Sequence, residues 1–330
     1  MAESAVLARP RRSRESSRGP ERARRPSPVP GQAPIRRAPR SPAWAHRLFV
    51  GPSVLTLLVL GVYPLVFILL AAFTESSLGK PFQEWVGTET FQKVLADADA
   101  VSSLGRTLVS SLGVSVASLA LGVVAALALH GAVRSGSLVR TLLLLPLITP
   151  PVIVGTLWKL IYNPGGGLLA TVLGFFGVPA QTIAPLSSTT WALPAVAVAD
   201  VWEWTPLIVL LVFTALLSQD PQTLEAARLD GAHGWRLFRY VTLPAIAGVV
   251  AAAFFIRLVL AFKVFDLVFM MTSGGPGQST TTTSYLIYQA ALREFDLGKA
   301  AVITLLLAVL VTVITIPVAL IARRLQANHE

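Results

Sequence analysis

The chain has 330 residues, 54% of them hydrophobic and only 13% charged, with a mean hydropathy of +0.66. An ordinary soluble domain is roughly 25% charged, so this composition belongs in a bilayer and argues against a water-filled catalytic domain. The absence of cysteine excludes a disulfide framework, a cysteine-ligated zinc site or a thiol nucleophile, and the net charge of +10 is concentrated at one end: residues 1–47 hold twelve Arg and three Glu.

That N-terminal tail is rich in Pro, Ser, Arg and Ala and poor in aromatic and β-branched residues. Such a segment cannot bury enough apolar surface to offset the entropy of ordering, so disorder is expected over 1–47. It lacks the apolar core and cleavage site of a secretory signal, because the first long apolar run opens only at Leu48. Its arginines are expected at the cytoplasmic leaflet, drawn by anionic lipid, with no nucleic-acid role.

Six segments of about 20 mostly apolar residues then satisfy the length needed to cross a bilayer. Residues 48–73, 107–129 and 300–322 carry no charge. The segment 141–162 is interrupted by Pro146, Pro150 and Pro151 and has Lys159 near its end, where the side chain is expected to reach the headgroups. Residues 191–217 contain Asp200 and Glu203, and 244–271 contain Arg257, Lys263 and Asp266. Charge is costly in hydrocarbon and usually faces a cavity or a partner. A seventh apolar piece, 168–178, lies between Gly165-Gly166-Gly167 and Pro179. It is too short to span and reads as interfacial or re-entrant.

Lys and Arg counts orient the segments. Even without the tail, the loops on its side hold seven (Arg134, Arg140, Arg228, Arg236, Arg239, Arg323, Arg324), against five on the other (Lys80, Lys93, Arg106, Arg293, Lys299). Both termini are therefore expected in the cytoplasm. The longest outer segment, 74–106, is too small to stand as a domain.

No catalytic constellation emerges. His46, His130, His233 and His329 are scattered, and the glycines at 165–167 and in Gly274-Gly275-Pro276-Gly277 lack the lysine and strand-to-helix setting of a phosphate loop. No enzyme, cofactor or metal is expected in this chain.

The longest polar interruption of the C-terminal half is 220–243. Asp220-Pro221 supplies an N-cap and a first-turn proline, and Glu225-Ala226-Ala227-Arg228-Leu229 propagates helix until Gly231. After it, His233 to Tyr240 mixes basic and bulky apolar groups, as a helix at a membrane surface or against a partner does, and Pro244 can open the next span.

The spacing Glu225-Ala226-Ala227, three residues, Gly231, nine residues, Val241, one residue, Leu243-Pro244 resembles the "EAA loop" of permease subunits in binding-protein-dependent ABC importers, with Val241 where Ile is usual. The run from Phe265 through Thr272-Ser273-Gly274-Gly275-Pro276 resembles the fifth core span and outer loop of the family's sugar and glycerol-phosphate (maltose-type) branch.

The resemblance covers about 48–325, with 326–330 as a cytoplasmic tail. It implies an all-α, six-span type I permease fold in the bacterial inner membrane. The chain would form half of the pathway for ATP-driven import of a carbohydrate, whether an oligosaccharide, a polyol or glycerol phosphate. Implied partners are a second homologous permease, an ABC ATPase dimer carrying the ATP and Mg, and an extracytoplasmic solute-binding protein. Glu225, Ala226, Ala227, Asp230, Gly231, Leu243 and Pro244 would couple to the ATPase. By position in the spans, Asp200, Glu203, Trp204, Leu207, Phe262, Phe265 and Asp266 would line the substrate path.

Two alternatives stand beside this. Asp200 or Glu203 can pair with Arg257 or Lys263 between helices instead of meeting substrate. A proton-coupled secondary transporter would use the same carboxylates, but would typically show more spans and an inverted repeat.

Overall fold

In the computed structural model the described residues are 43–131, 137–179 and 184–327. Residues 1–42, the loop with Arg134 and residues 328–330 lie outside them, and so does the expected disorder of the tail. Among the described residues the regular structure is helical, with only two isolated backbone bridges. Contacts divide the chain into two compact units, Met1–Thr56 and Leu57–Glu330. The described part of the first is the opening of helix α1 (Ala43–Phe73), which begins ahead of the apolar run at Leu48 and in which Thr56 Oγ1 donates back to Pro52 O at 2.8 Å.

The second unit continues through α2 (Glu89–Ala96), α3 (Ala98–Gly131), α4 (Ser137–Ile148), α5 (Pro151–Ile161), α6 (Leu168–Phe175), α7 (Ala192–Leu217), α8 (Pro221–Leu229) and α9 (Gly234–Leu237). A π-helical turn at Phe238–Thr242 leads into α10 (Leu243–Ala261), followed by α11 (Asp266–Met271), α12 (Thr283–Tyr288) and α13 (Leu297–Ala327). Among the described residues five helices are long and apolar enough to cross a membrane: Val50–Phe73, Ala98–Gly131, Ala192–Leu217, Gly234–Ala261 and Leu297–Arg324.

The third expected span, 141–162, is two shorter helices instead of one. Pro150 and Pro151 lack an N–H, and a proline drives the residue before it out of the helical region. Pro150 accordingly sits at φ −56°, ψ 137°, and α5 restarts with Pro151 in its first turn. Thr149 Oγ1 covers a freed carbonyl by donating to Leu145 O at 2.9 Å.

The fifth expected span, 244–271, is also divided. α10 stops at Ala261, and Asp266 opens a separate six-residue helix. Lys263, in the break, and Asp266, at the start of α11, therefore stand outside the helix that holds Arg257.

Helix α3 runs through the middle of the packing. Its buried face is Ser103, Thr107, Ser111, Ser115, Ser118, Gly122 and Ala126, recurring every three or four residues. Small side chains let helices approach where no hydrophobic effect drives them together. At Gly122 an added methyl would stand 2.6 Å from Ile208 Cβ of α7, so only glycine admits this crossing.

At the α2 end, Ala71, Val94, Ala100, Leu286 and Val302 form one core. At the α8 end, Ala126, Ile208, Val212, Ile246 and Ala253 form a second. A third gathers Val154, Ala199, Leu267, Val268 and Tyr285. Residues 74–85 are no separate domain: Glu75 N–H donates to Glu84 O at 2.7 Å, and Trp85 stacks on Phe73 of α1 at 5.7 Å.

Candidate functional site

Two places combine the residues singled out in the sequence. The first is the turn between α7 and α10. Asp220 caps α8, its carboxylate accepting from Gln222 N–H at 2.9 Å and from Thr223 Oγ1 at 3.3 Å. The helix closes with Ala232 N–H on Ala227 O (2.9 Å) and Gly231 N–H on Arg228 O (3.1 Å), Gly231 taking φ +84°. This is the paired-bond C-terminal stop that a left-handed glycine permits. Nothing lies within 4 Å of a methyl added at Gly231, so backbone conformation alone demands glycine there.

No side chain of α8 is buried. Glu225, Ala226 and Asp230 are exposed, and Leu229 is 89% exposed, a large apolar group held out into solvent. The turn is tied back by Gln219 Nε2 donating to Thr242 O at 3.3 Å. Leu243 and Pro244 begin α10, half-buried, with Pro244 in its first turn. The segment after Gly231 forms α9 and the π-helical turn and runs without a gap into α10.

The second place lies where α3, α7 and α10 meet. Arg257 of α10 is fully buried; its Nη2 donates to Asp200 Oδ2 of α7, and its Nε donates to Ser118 Oγ of α3 at 3.2 Å. One guanidinium thus joins three helices. Its Nη1 has no partner among the described residues. Glu203, buried one turn further along α7, receives no hydrogen bond among them either. Asp200, Glu203 and Leu207 share a face of α7, with Trp204 beside it half-buried.

The remaining residues expected on the substrate path stand at the end of α10 and the start of α11. Phe262 is sealed in the protein interior. Phe265 stacks on Phe269 at 5.5 Å and on Tyr285 at 6.2 Å, and Asp266 opens α11. Lys263 is exposed and has no ion pair among the described residues.

Sequence reasoning missed Ser118, although a hydroxyl or glycine at 103, 107, 111, 115, 118 and 122 is a visible signal in an otherwise apolar span. It also missed the Trp158–Trp202 pair, edge to face at 6.0 Å, which borders a cavity of about 690 Å³ between α3, α4, α5 and α7. Among the described residues the hydroxyl lining this cavity is Thr205 Oγ1, which is spent on Val201 O at 2.6 Å, the turn of α7 that Pro206 interrupts.

A family described as "binding-protein-dependent transport system inner membrane component" matches residues 118–327. A probable ABC transporter permease protein, y4oQ of Sinorhizobium fredii, is 34% identical over 267 residues, covering 80% of this chain and 85% of its own length. The trehalose/maltose transport system permease protein MalF of Thermococcus litoralis is 29% identical over 274 residues, covering 82% and 92%. Among solved structures, a chain of the bacterial alginate ABC transporter, in complex with an alginate pentasaccharide-bound periplasmic protein, superposes with a TM-score of 0.75. It is 21% identical and covers 85% of this chain and 94% of its own.

Proposed function

This chain belongs to the family of binding-protein-dependent transport system inner membrane components, and on that premise we propose that it is half of the pathway of an ATP-driven carbohydrate importer. The observation that carries the reading is α8: a helix capped at both ends, with no buried side chain, Leu229 in water, and a covalent lead into the two helices that hold Asp200 and Arg257. A preformed apolar and acidic knob of this kind fits a partner's cleft. The partner is an ATPase subunit, which holds and hydrolyses the ATP; Glu225 meets its basic groups, while Ala226 and Ala227 allow close approach.

The complex contains a second, similar permease chain, two ATPase subunits and an extracytoplasmic solute-binding protein. It sits in the bacterial inner membrane with α8 and both termini on the cytoplasmic side, and the α4–α5 pair supplies the sixth crossing. Support for a sugar, such as an oligosaccharide, comes from the MalF relative; the polyol and glycerol-phosphate options rest on the run from Phe265 to Pro276. Because Arg257 occupies Asp200, Glu203 is the carboxylate on this face of α7 available to a sugar hydroxyl, with Trp204 and Leu207 beside it. Phe262, Phe265 and Asp266 support that face from the α10–α11 break.

The test replaces Glu225 with Lys and, separately, Gly231 with Pro in the reconstituted complex. Both are expected to abolish uptake and the stimulation of ATP hydrolysis by loaded binding protein, while the chain stays in the membrane. Full stimulation in both variants would remove α8 from the coupling path.

A further inference from the structure

Between Lys159 and Asp200 the chain carries no charged residue. This stretch leaves the helices at Tyr162, the C-cap of α5, and returns at Trp191, the N-cap of α7, so it stays at one end of two apolar helices. Inside it, α6 packs Leu169 against the core that holds Val154 and Tyr162, and Ala170 is buried as well. Its other side carries Leu168, Val172 and Phe175, with Phe176 next to them. Phe175 is 88% and Phe176 74% exposed.

Positions 168, 172, 175 and 176 share one helix face. A helix lying on a soluble protein shows polar groups on that side; a helix apolar all round is one that is covered on all sides. A docking face for a soluble partner would carry a polar rim, whereas this segment has no charge for one.

Several of its polar groups are bonded within the segment. Gly167 N–H donates to Asn163 O (2.8 Å), Thr171 N–H and Oγ1 both donate to Gly167 O (3.0 Å), and Val178 N–H donates to Leu173 O (3.1 Å). Such closure is what a medium poor in water requires of a backbone.

We propose that α6 and the Phe175-Phe176 tip lie in the interfacial layer of the bilayer, with lipid as the occupant of the exposed face. Phe175 then sits about 5–10 Å into the boundary between headgroups and acyl chains. The exposed Trp191 is a second aromatic anchor at the same passage from helix to interface. This assignment rests on the membrane placement of α5 and α7 and is independent of what the protein transports.

The natural chain has no cysteine, so single-cysteine variants need no altered background. Val172→Cys, Phe175→Cys and, as a water-exposed reference, Lys80→Cys are nitroxide-labelled in the full chain and reconstituted into phosphatidylcholine vesicles. Collision of each label with oxygen and with a water-soluble nickel chelate is then measured. At 172 and 175 the oxygen-to-nickel ratio is expected to exceed that at 80 severalfold. Nickel access at 175 equal to that at 80 would place the tip in water, open to a soluble partner, and overturn the assignment. So would protection from both reagents, which would mean that protein covers the face.

Discussion

The Arg257–Asp200–Ser118 junction ties α7 and α10 to α3, the α8 turn connects the same α7 and α10, and the two are held in opposite ways. The junction is made by residues 57 and 139 positions apart and exists only if three helices are already packed. The α8 turn is made by bonds between neighbours, from the Asp220 cap to the Gly231 stop, and buries nothing. A buried junction fixes how helices sit; a locally capped, uncovered helix keeps its shape while awaiting a surface. Losses at the first should fall on the whole fold, and losses at the second on the connection to a partner.

The strongest way to break this contrast is Arg257→Met. Removing one member of a buried ion pair leaves the other charge uncompensated, at a cost of about 3–5 kcal/mol. Denaturant or thermal unfolding of the purified chain in detergent should show that loss, and Asp200→Leu in the same chain should restore most of it. Unchanged stability in the single variant would mean that the pair does not hold the helices.

Next in size is Gly231→Ala. An L side chain in the left-handed region costs about 1–2 kcal/mol, and no steric term adds to it here. Amide exchange should rise through α8 while the midpoint of global unfolding stays in place; a shift of the global midpoint comparable to that of Arg257→Met would merge the two regions into one. Asp220→Ala removes the N-cap, worth about 1 kcal/mol, and should loosen the first turn of α8 more than its last.

The smallest effect is expected far from both, on α2. There Glu89 and Lys93 form an exposed pair at 2.8 Å, and the hydrogen bond and charge of Lys93 hold the Glu89 carboxyl below its ordinary value. A lowered carboxyl adds stability above its unfolded pKa and loses it as pH falls through the folded value. The Lys93 ammonium is raised by the same partner, so its share is present below the unfolded lysine pKa and is lost as pH rises through the folded one. Glu89→Gln should therefore flatten only a faint acid limb of the stability profile, and a steep limb that vanished with the substitution would give this surface pair an importance that its exposure denies it.

The α8 turn was readable from the chain because its rules span at most six residues: a capping Asp before Pro, then Gly where the backbone turns left-handed. The Pro150-Pro151 break was visible for the same reason. The partner of Asp200 was not, since the charges at 257 and 263 were both open to it and the choice depends on how α10 is rotated against α7. The end of α10 carried still less signal: no proline or glycine stands between Leu258 and Asp266. Groups far along the chain receive the freed carbonyls, with Ser284 Oγ donating to Phe262 O at 3.4 Å and Thr282 Oγ1 to Val264 O at 3.3 Å. A break stabilised from eighteen or more residues away leaves no mark in its own sequence.

The separation of Asp200 from Arg257 also sets an order on biogenesis. The acid is synthesised 57 residues before its base, an interval of roughly 3–11 s at about 5–20 residues per second. During that time α7 holds Asp200 and Glu203 with no cation on α10 to meet them, and a carboxylate at mid-membrane opposes insertion by about 2.5–3.5 kcal/mol. Stable integration of α7 is thus expected to wait for α10: in nascent chains stopped before residue 257 a single cysteine placed in α7 should stay open to a water-soluble maleimide, and in chains that extend past α10 it should not.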